Sequence, residues 1–308
     1  MDRRQRQAGL LIPAALLLLC GADRPQLPIR EARWLKSPDI LADLTRLPGE
    51  CIAWPKSKDQ RQSVAIGRAL FRSPLLLGGQ AARAGLSCSS CHRNGRTNPH
   101  FHFPGVSGDP GTADVTASIM SEHRGDGIFN PKPIPDLGGD PAKLKVKGTP
   151  KLREFVHGLV TQEFDGPEPS PAALHSVVAY VRALSPAACP KAGSAISLGS
   201  KLAEVDSAVA LAKEAYARRD SATGRDLLAA ARSTLGTIDE RYQVAGLEDS
   251  RAQLREADSV LFQLQEAGST RLWDEWRRDW PARKKKLRSA EPRSLFNRAV
   301  LRKALAAS

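Results

Sequence analysis

The sequence is poor in residues that several classes of protein depend on. It has only five cysteines and two methionines among 308 residues. Cys88 and Cys91 have no second ligand pair of comparable spacing, which argues against a zinc site built from two such pairs. The residues around them also lack a strand pattern, which argues against a thioredoxin-like redox dithiol.

The residue that follows this cysteine pair points to a different chemistry. Cys88-Ser89-Ser90-Cys91-His92 has the spacing C-x-x-C-H, the attachment motif of a c-type haem. Thiols three positions apart can add to the two vinyl groups of one porphyrin, and the next imidazole then lies under the iron. We therefore expect one covalent haem c, attached by Cys88 and Cys91 and ligated by His92.

A hydrophobic run long enough to span a membrane is also missing. Within residues 1–22, the apolar stretch Ala8–Cys20 follows a basic start, is interrupted by Pro13 and is too short for a span. Small residues follow at Gly21 and Ala22, which is typical of a cleaved secretory signal peptide. Cleavage would release a soluble protein into the periplasm; the alternative is an uncleaved anchor.

Cys51 and Cys189 remain after the motif and the signal segment are set aside. In an oxidising compartment they can form a disulfide across the C-x-x-C-H segment. A loop of that length would stabilise the folded protein by roughly 4–5 kcal/mol in the chain-entropy account. The alternative is two unrelated free thiols.

The sequence predicts an all-α protein, with a cytochrome c-like haem domain followed by a helical bundle or hairpin domain. Proline is frequent up to residue 190 and nearly vanishes from Ala195 onward. We expect an N-terminal extension at 23–59, the haem domain at 60–190 and the helical domain at 195–308. In the last region three apolar seams of heptad-like spacing indicate packed amphipathic helices, followed by a fourth helix from about Thr270.

Acidic residues are fewer than basic ones, and the formal net charge is +13. This balance favours an acidic redox partner or an anionic surface, whereas nucleic acid is not expected for an exported haem protein. The basic run Arg283–Arg288 is typical of a solvated helix face, and the alternative is a contact site for an acidic protein or for anionic lipid headgroups. Trp273, Trp276 and Trp280 precede it at helical spacing and are interpreted as a packed helix face.

Two predicted helices flank the motif as in a small cytochrome. Arg61–Pro74 is amphipathic, and its Gly67 permits close approach of another helix. Ser170–Pro186 carries an apolar face with Tyr180 beside it. This plan resembles class I cytochromes c, in which two such helices cross at a glycine–aromatic contact and clamp the haem.

Three segments resemble a more specific family. Ile66–His92 looks like the approach to the haem motif in bacterial di-haem cytochrome c peroxidases and methylamine-utilisation di-haem enzymes. Lys147–Phe155 and Glu163–Gly166 resemble that family's Thr-Pro-x-Leu-Arg and Phe-Asp-Gly segments. The resemblance covers about residues 60–186. The family carries two haem motifs and this chain carries one, so the family's electron relay between haems is not implied.

The second axial ligand of the iron decides what such a haem can do. Met120 is the one methionine outside residues 1–22 and would give a filled, high-potential site. His100 and His102, on an aromatic-rich loop, would give a lower potential, and an open position would permit peroxide or gas chemistry. All of these ligand sets stay open at the level of the sequence.

We expect a periplasmic mono-haem c-type cytochrome that exchanges single electrons with a redox partner protein. One alternative is a cytochrome c peroxidase-like enzyme that takes electrons from an external donor. Such an enzyme needs an acid/base side chain beside an open iron, and Glu122, Glu163 and Asp165 are available by type. The other alternative is a haem-based sensor whose output is the helical domain.

Overall fold

The computed structural model describes residues 26–116, 119–123, 126–144, 146 and 148–308; the predicted signal peptide at 1–22 lies outside this part. Helix accounts for 62% and strand for 4%, which confirms the all-α class. The α-helices of the described residues are α1 Ile40–Thr45, α2 Lys58–Phe71, α3 Pro74–Leu77, α4 Gly79–Ala84, α5 Cys88–Cys91, α6 Thr149–Gly158, α7 Pro171–Ala183, α8 Leu198–Ala217, α9 Ser221–Arg241, α10 Glu248–Ala267, α11 Thr270–Ala290 and α12 Arg298–Ala307.

Shorter elements connect these helices. A π-helical turn at Leu159–Glu163 continues α6. Four two-residue strands form two antiparallel pairs: β1 (Arg46–Leu47) with β4 (Ser194–Ala195), and β2 (Thr112–Ala113) with β3 (Lys132–Pro133). Single 3₁₀ turns lie at Arg30–Trp34, Arg93–Gly95, Pro141–Lys143, Pro186–Ala188 and Glu291–Arg293.

Helices α2 and α7 cross at Gly67. A Cβ added to Gly67 would lie 1.8 Å from the carbonyl oxygen of Ser176 and 2.9 Å from Cβ of Tyr180. Only glycine therefore lets the two backbones approach this closely. The ring of Tyr180 also packs on Phe71, with ring centroids 5.0 Å apart. The predicted close approach of a second helix at Gly67, with a tyrosine beside it, is confirmed.

The helices after residue 195 pack directly on this crossing. One continuous cluster of buried apolar side chains joins Val64 and Leu70 of α2 and Val177 of α7 to the inner faces of α8, α9, α10 and α11. An ion pair of 3.7 Å between Arg72 Nη1 and Glu204 Oε1 also connects the end of α2 to α8. The two regions of different composition therefore share one core.

The segment before α2 is fastened to the C-terminal end of the chain. Leu27 and Leu44 lie in a buried cluster with Leu295 and Leu301. The guanidinium of Arg241, at the end of α9, donates to the carbonyl oxygens of Leu44 (2.7 Å) and Leu295 (3.2 Å). A buried arginine satisfied by backbone carbonyls fixes both chain segments at once.

Cys51 and Cys189 are joined in a disulfide, 138 residues apart in the sequence. The bond lies beside the guanidinium of Arg96, whose Nη1 is 3.3 Å from Cys51 Sγ. Of the two alternatives for these cysteines, the pairing is therefore the correct one. It ties the strand-like segment before α2 to the chain that leaves α7.

The tryptophan stripe of α11 is a packed helix face, as expected. Trp276 and Trp280 are buried, and their rings stack with centroids 4.6 Å apart. Within the described part of the chain, no helix combines the length and apolar character needed to cross a lipid bilayer.

Candidate functional site

The two thiols of the motif lie on the single helical turn α5. Ser87 and Ser90 cap this turn reciprocally, with the backbone N–H of Ser87 donating to Ser90 Oγ at 3.0 Å. The loop that follows folds back onto the turn, because Asn98 donates from its side chain to Ser90 O (2.8 Å) and from its backbone to Cys91 O (3.0 Å). The spacing of Cys88 and Cys91 is therefore held from both ends.

Both thiols are free and packed among apolar side chains. Burial raises the pKa of Cys88 and of Cys91 to about 12, so both are protonated at neutral pH. A redox dithiol needs a thiolate, which depends on a lowered pKa. This apolar environment instead suits sulfur atoms that carry no charge.

His92 ends the turn and is oriented by a backbone carbonyl. Its Nδ1 lies 3.0 Å from the carbonyl oxygen of Pro135, so Nδ1 carries the proton and donates it. This bond leaves the lone pair on Nε2, where a metal would bind, and it fixes the rotation of the ring. Although part of its surface is exposed, His92 is densely surrounded by protein; this desolvation lowers its pKa to about 4 and keeps the imidazole neutral.

The carbonyl of Pro135 is itself held in place. Thr97 Oγ1 donates to Ile134 O at 2.9 Å, and Arg96 Nε contacts both carboxylate oxygens of Asp136 at 2.7 and 2.8 Å. The proline-rich stretch around Pro135 contains no methionine, and sequence reasoning gave it no role. Its contribution is a hydrogen-bond acceptor for the motif histidine.

Met120 shares an apolar cluster with the motif cysteines. It is 1% exposed and belongs to a buried cluster against which Cys88 and Cys91 pack. The other buried members are Leu77, Ala81, Leu86, Phe101, Val106, Ile134 and Val160. The structure thus brings Met120 and the two thiols, distant in sequence, to one apolar site.

The chain around Met120 is anchored to the turn that follows α6. Ser121 Oγ donates to the carbonyl oxygen of Gln162. The Glu122 N–H donates to Asp165 Oδ2 at 2.8 Å, and His123 Nδ1 lies 2.8 Å from Asp165 Oδ1. Gln162 and Asp165 therefore fix the backbone of the residues next to Met120, a role that the sequence did not reveal.

His100 and His102 face away from this cluster. Between them, Phe101 forms a β-bridge with Leu35 and buries its side chain in the cluster that holds Met120. His100 lies in the preceding turn, and its Nδ1 bonds to Asp43 Oδ2 at 2.7 Å. Phe101 and Phe103 both contact the cluster, and because successive side chains of an extended segment alternate, the imidazole of His102 between them is directed to the opposite side.

A buried ion network supports the turn that follows the motif. Glu50 accepts hydrogen bonds from Arg68 (2.8 Å), Arg72 (2.9 Å) and the hydroxyl of Tyr180 (2.8 Å). Burial alone would raise the pKa of Glu50, but the two guanidinium groups and the hydroxyl hold that pKa below its ordinary value. Arg72 also donates to Asn94 Oδ1 at 2.7 Å, and Asn94 adopts the left-handed φ of 52°. The network ties this turn to α2 and α7.

Across the described ranges, no three His, Cys, Asp or Glu side chains are grouped so that they could hold a metal ion by themselves. The candidate site is one imidazole, two thiols and one thioether around an apolar cluster. Comparison with models of known protein families, with curated proteins and with solved structures gave no match to this chain.

Proposed function

We propose that this protein is a periplasmic c-type cytochrome that carries one covalent haem and transfers single electrons. Cys88 and Cys91 would hold the haem through thioether bonds, and His92 would be one axial ligand. The observation that carries the proposal is the 3.0 Å contact between His92 Nδ1 and the Pro135 carbonyl, directly after the two thiols. When bound, the haem would supply one-electron exchange at its iron.

The donor set fits a c-type haem. The motif imidazole is neutral and has Nε2 available, and the thiols adjoin a cluster of aliphatic and aromatic side chains suited to a porphyrin face. The α2–α7 crossing at Gly67 and Tyr180 supports the resemblance to cytochrome c-like domains. The environment of His92 and the crossing of α2 with α7 are independent features. The first concerns the proposed iron ligand, and the second concerns the helices that would enclose the haem.

In this proposal, Met120 would also hold the iron. This role is supported by the burial of Met120 beside both cysteines, by the bond of His100 to Asp43 and by the direction of His102 away from the cluster. A thioether together with an imidazole would favour a high reduction potential, which suits an electron carrier.

The decisive experiment is export of the full chain in a host with haem c maturation enzymes. The purified protein should carry one haem per chain that survives denaturation, as measured by absorption and intact mass. Cys91→Ala should lose one of the two thioether bonds, whereas Ser89→Ala, between the cysteines, should keep both. A wild-type protein without covalent haem under these conditions would refute the proposal.

The reaction of the ferric protein with peroxide separates the electron carrier from an enzyme. With Met120 on the iron, the spectrum should be low-spin and unchanged by peroxide or by cyanide at low concentration. A high-spin spectrum that changes rapidly on addition of peroxide would favour the peroxidase-like alternative. Reversible binding of a gas without turnover would favour the sensor.

A further inference from the structure

The last 26 residues of the chain form a strongly basic surface. Between residues 283 and 308 there are nine lysines and arginines and one acidic residue, Glu291. Seven of these cations are exposed and form no ion pair within the described part of the chain. They are Lys285, Lys286, Arg288, Arg293, Arg298, Arg302 and Lys303.

From Arg277 to Lys284, the cations of α11 are paired with acidic side chains, unlike the seven cations above. Arg277 pairs with Asp274 at 3.0 Å, and Lys284 pairs with Asp206 at 2.7 Å. Neutralisation by nearby acids therefore stops at Lys284. The positive charge beyond it is not compensated by the protein itself, so it attracts an external anionic surface.

Two helices contribute to the same surface. The hydroxyl of Tyr242, at the end of α9, donates to the carbonyl oxygen of Leu287 in α11 at 2.6 Å. The preceding residue, Arg241, accepts a backbone hydrogen bond from Leu295, just before α12, at 2.8 Å. The end of α11 and the start of α12 therefore meet at one point, with only the turn Glu291–Arg293 between them.

The N-terminal segment starts beside the basic surface, because Leu27 packs with Leu295 and Leu301. In the sequence, only residues 21–26 separate Leu27 from the end of the apolar run Ala8–Cys20. Six residues span at most about 20 Å, so a membrane that held this run would lie within about that distance of Leu27.

The surface also lacks the apolar centre that a protein interface would need. The large apolar side chains that the described residues expose lie elsewhere, and none falls between 283 and 308. Protein interfaces bury a core enriched in aromatic and apolar residues, whereas lipid headgroups are bound by clustered lysines and arginines alone.

We propose that the basic surface formed by the end of α11 and by α12 binds anionic phospholipid headgroups and holds the protein at the membrane. This inference does not depend on the bound haem or on its ligands. Each cation near an anionic bilayer is worth roughly fivefold in affinity, so removal of three should weaken binding about 100-fold.

The test is co-sedimentation of the exported protein with vesicles. Wild type should bind vesicles of mixed phosphatidylcholine and phosphatidylglycerol, release at high salt, and not bind vesicles of phosphatidylcholine alone. The triple variant Arg298→Gln, Arg302→Gln and Lys303→Gln should lose about 100-fold in affinity.

A second triple variant, Lys132→Gln, Lys151→Gln and Arg153→Gln, is the matched control. It removes the same charge from exposed side chains on β3 and α6, which are not part of the basic surface. Circular dichroism should show that both variants are folded. N-terminal sequencing should establish whether residues 1–22 are present. The result should be the same for wild type and for both triple variants.

Three results would overturn the proposal. One is the absence of wild-type binding to the anionic vesicles at moderate salt. Another is an equal loss in the two triple variants, which would indicate attraction by net charge alone. The last is tighter binding to soluble polyglutamate than to the vesicles, which would indicate an acidic protein as partner.

Discussion

Substitution of Gly67 by alanine tests the contact on which the arrangement around the motif depends. The added Cβ would lie 1.8 Å from Ser176 O and 2.4 Å from the carbonyl carbon of the same residue. Both atoms belong to the backbone of α7 and cannot rotate away. To restore even a 3.0 Å contact, the two helices would have to separate by about 1.2 Å, which would also loosen Tyr180 and its contact with Phe71.

The expected cost follows from two opposing contributions. Overpacking of a tight contact costs about 3 kcal/mol. Alanine is a better helix former than glycine by about 1 kcal/mol, which offsets part of that cost. We therefore expect Gly67→Ala to lower the free energy of unfolding by about 2 kcal/mol.

Gly236 in α9 provides the matched control, because a Cβ there has no neighbour within 4 Å. Gly236→Ala should leave the protein as stable or more stable by up to about 1 kcal/mol. Urea denaturation followed by circular dichroism measures both variants. If Gly67→Ala is as stable as Gly236→Ala, the close crossing of α2 and α7 does not exist as described.

Three further perturbations follow from particular contacts. Replacement of Cys51 and Cys189 by alanine should lower the free energy of unfolding by up to about 5 kcal/mol, since the bond closes a 138-residue loop; an unchanged urea midpoint would contradict this. If Met120 binds the iron, Met120→Ala should convert the ferric spectrum to high-spin while His102→Ala leaves it unchanged, and the reverse result would assign the ligand to the histidine. Burial raises the pKa of Asp226 to about 6 from 3.8, so its ionised form is disfavoured in the folded state alone. Asp226→Asn should therefore stabilise the protein by up to about 3 kcal/mol at pH 7, and this gain should largely disappear as the pH falls from 6 to 4, as thermal unfolding across that range would show.

Local signals in the sequence were sufficient to predict the helices of the C-terminal region. Heptad-like spacing predicted α8, α9, α10 and α11, because a helix face that packs must repeat every three or four residues. The connection between α8 and α9 is short, since α8 ends at Ala217 and α9 begins at Ser221. Gly224 lies inside α9, where the ring of Tyr216 covers it and leaves no room for a side chain.

Long-range features were harder to predict. The carbonyl of Pro135 orients His92 across 43 positions of sequence, and any residue type can present a carbonyl, so no side-chain pattern marks it. The proposed preference for Met120 over the histidines likewise rests on Phe101, which is buried in the cluster that holds Met120. The spacing of residues along a loop does not show which of its side chains face the apolar cluster.

Because the two regions share one core, we expect the C-terminal helices to stabilise the region that contains the C-x-x-C-H motif. The composition change near residue 190 predicts a boundary there, yet Val64 and Leu70 are buried against the helices beyond it. A chain that ends at Ala195 would expose this apolar surface and leave Arg72 without Glu204, so we expect it to be unstable or aggregated. If the intact protein carries the proposed haem, the absorption of that haem and the helical circular dichroism should lose their native values at the same temperature. Two well-separated transitions, or a stable truncated protein, would show instead that the region around Cys88 to His92 needs no support from α8 to α12.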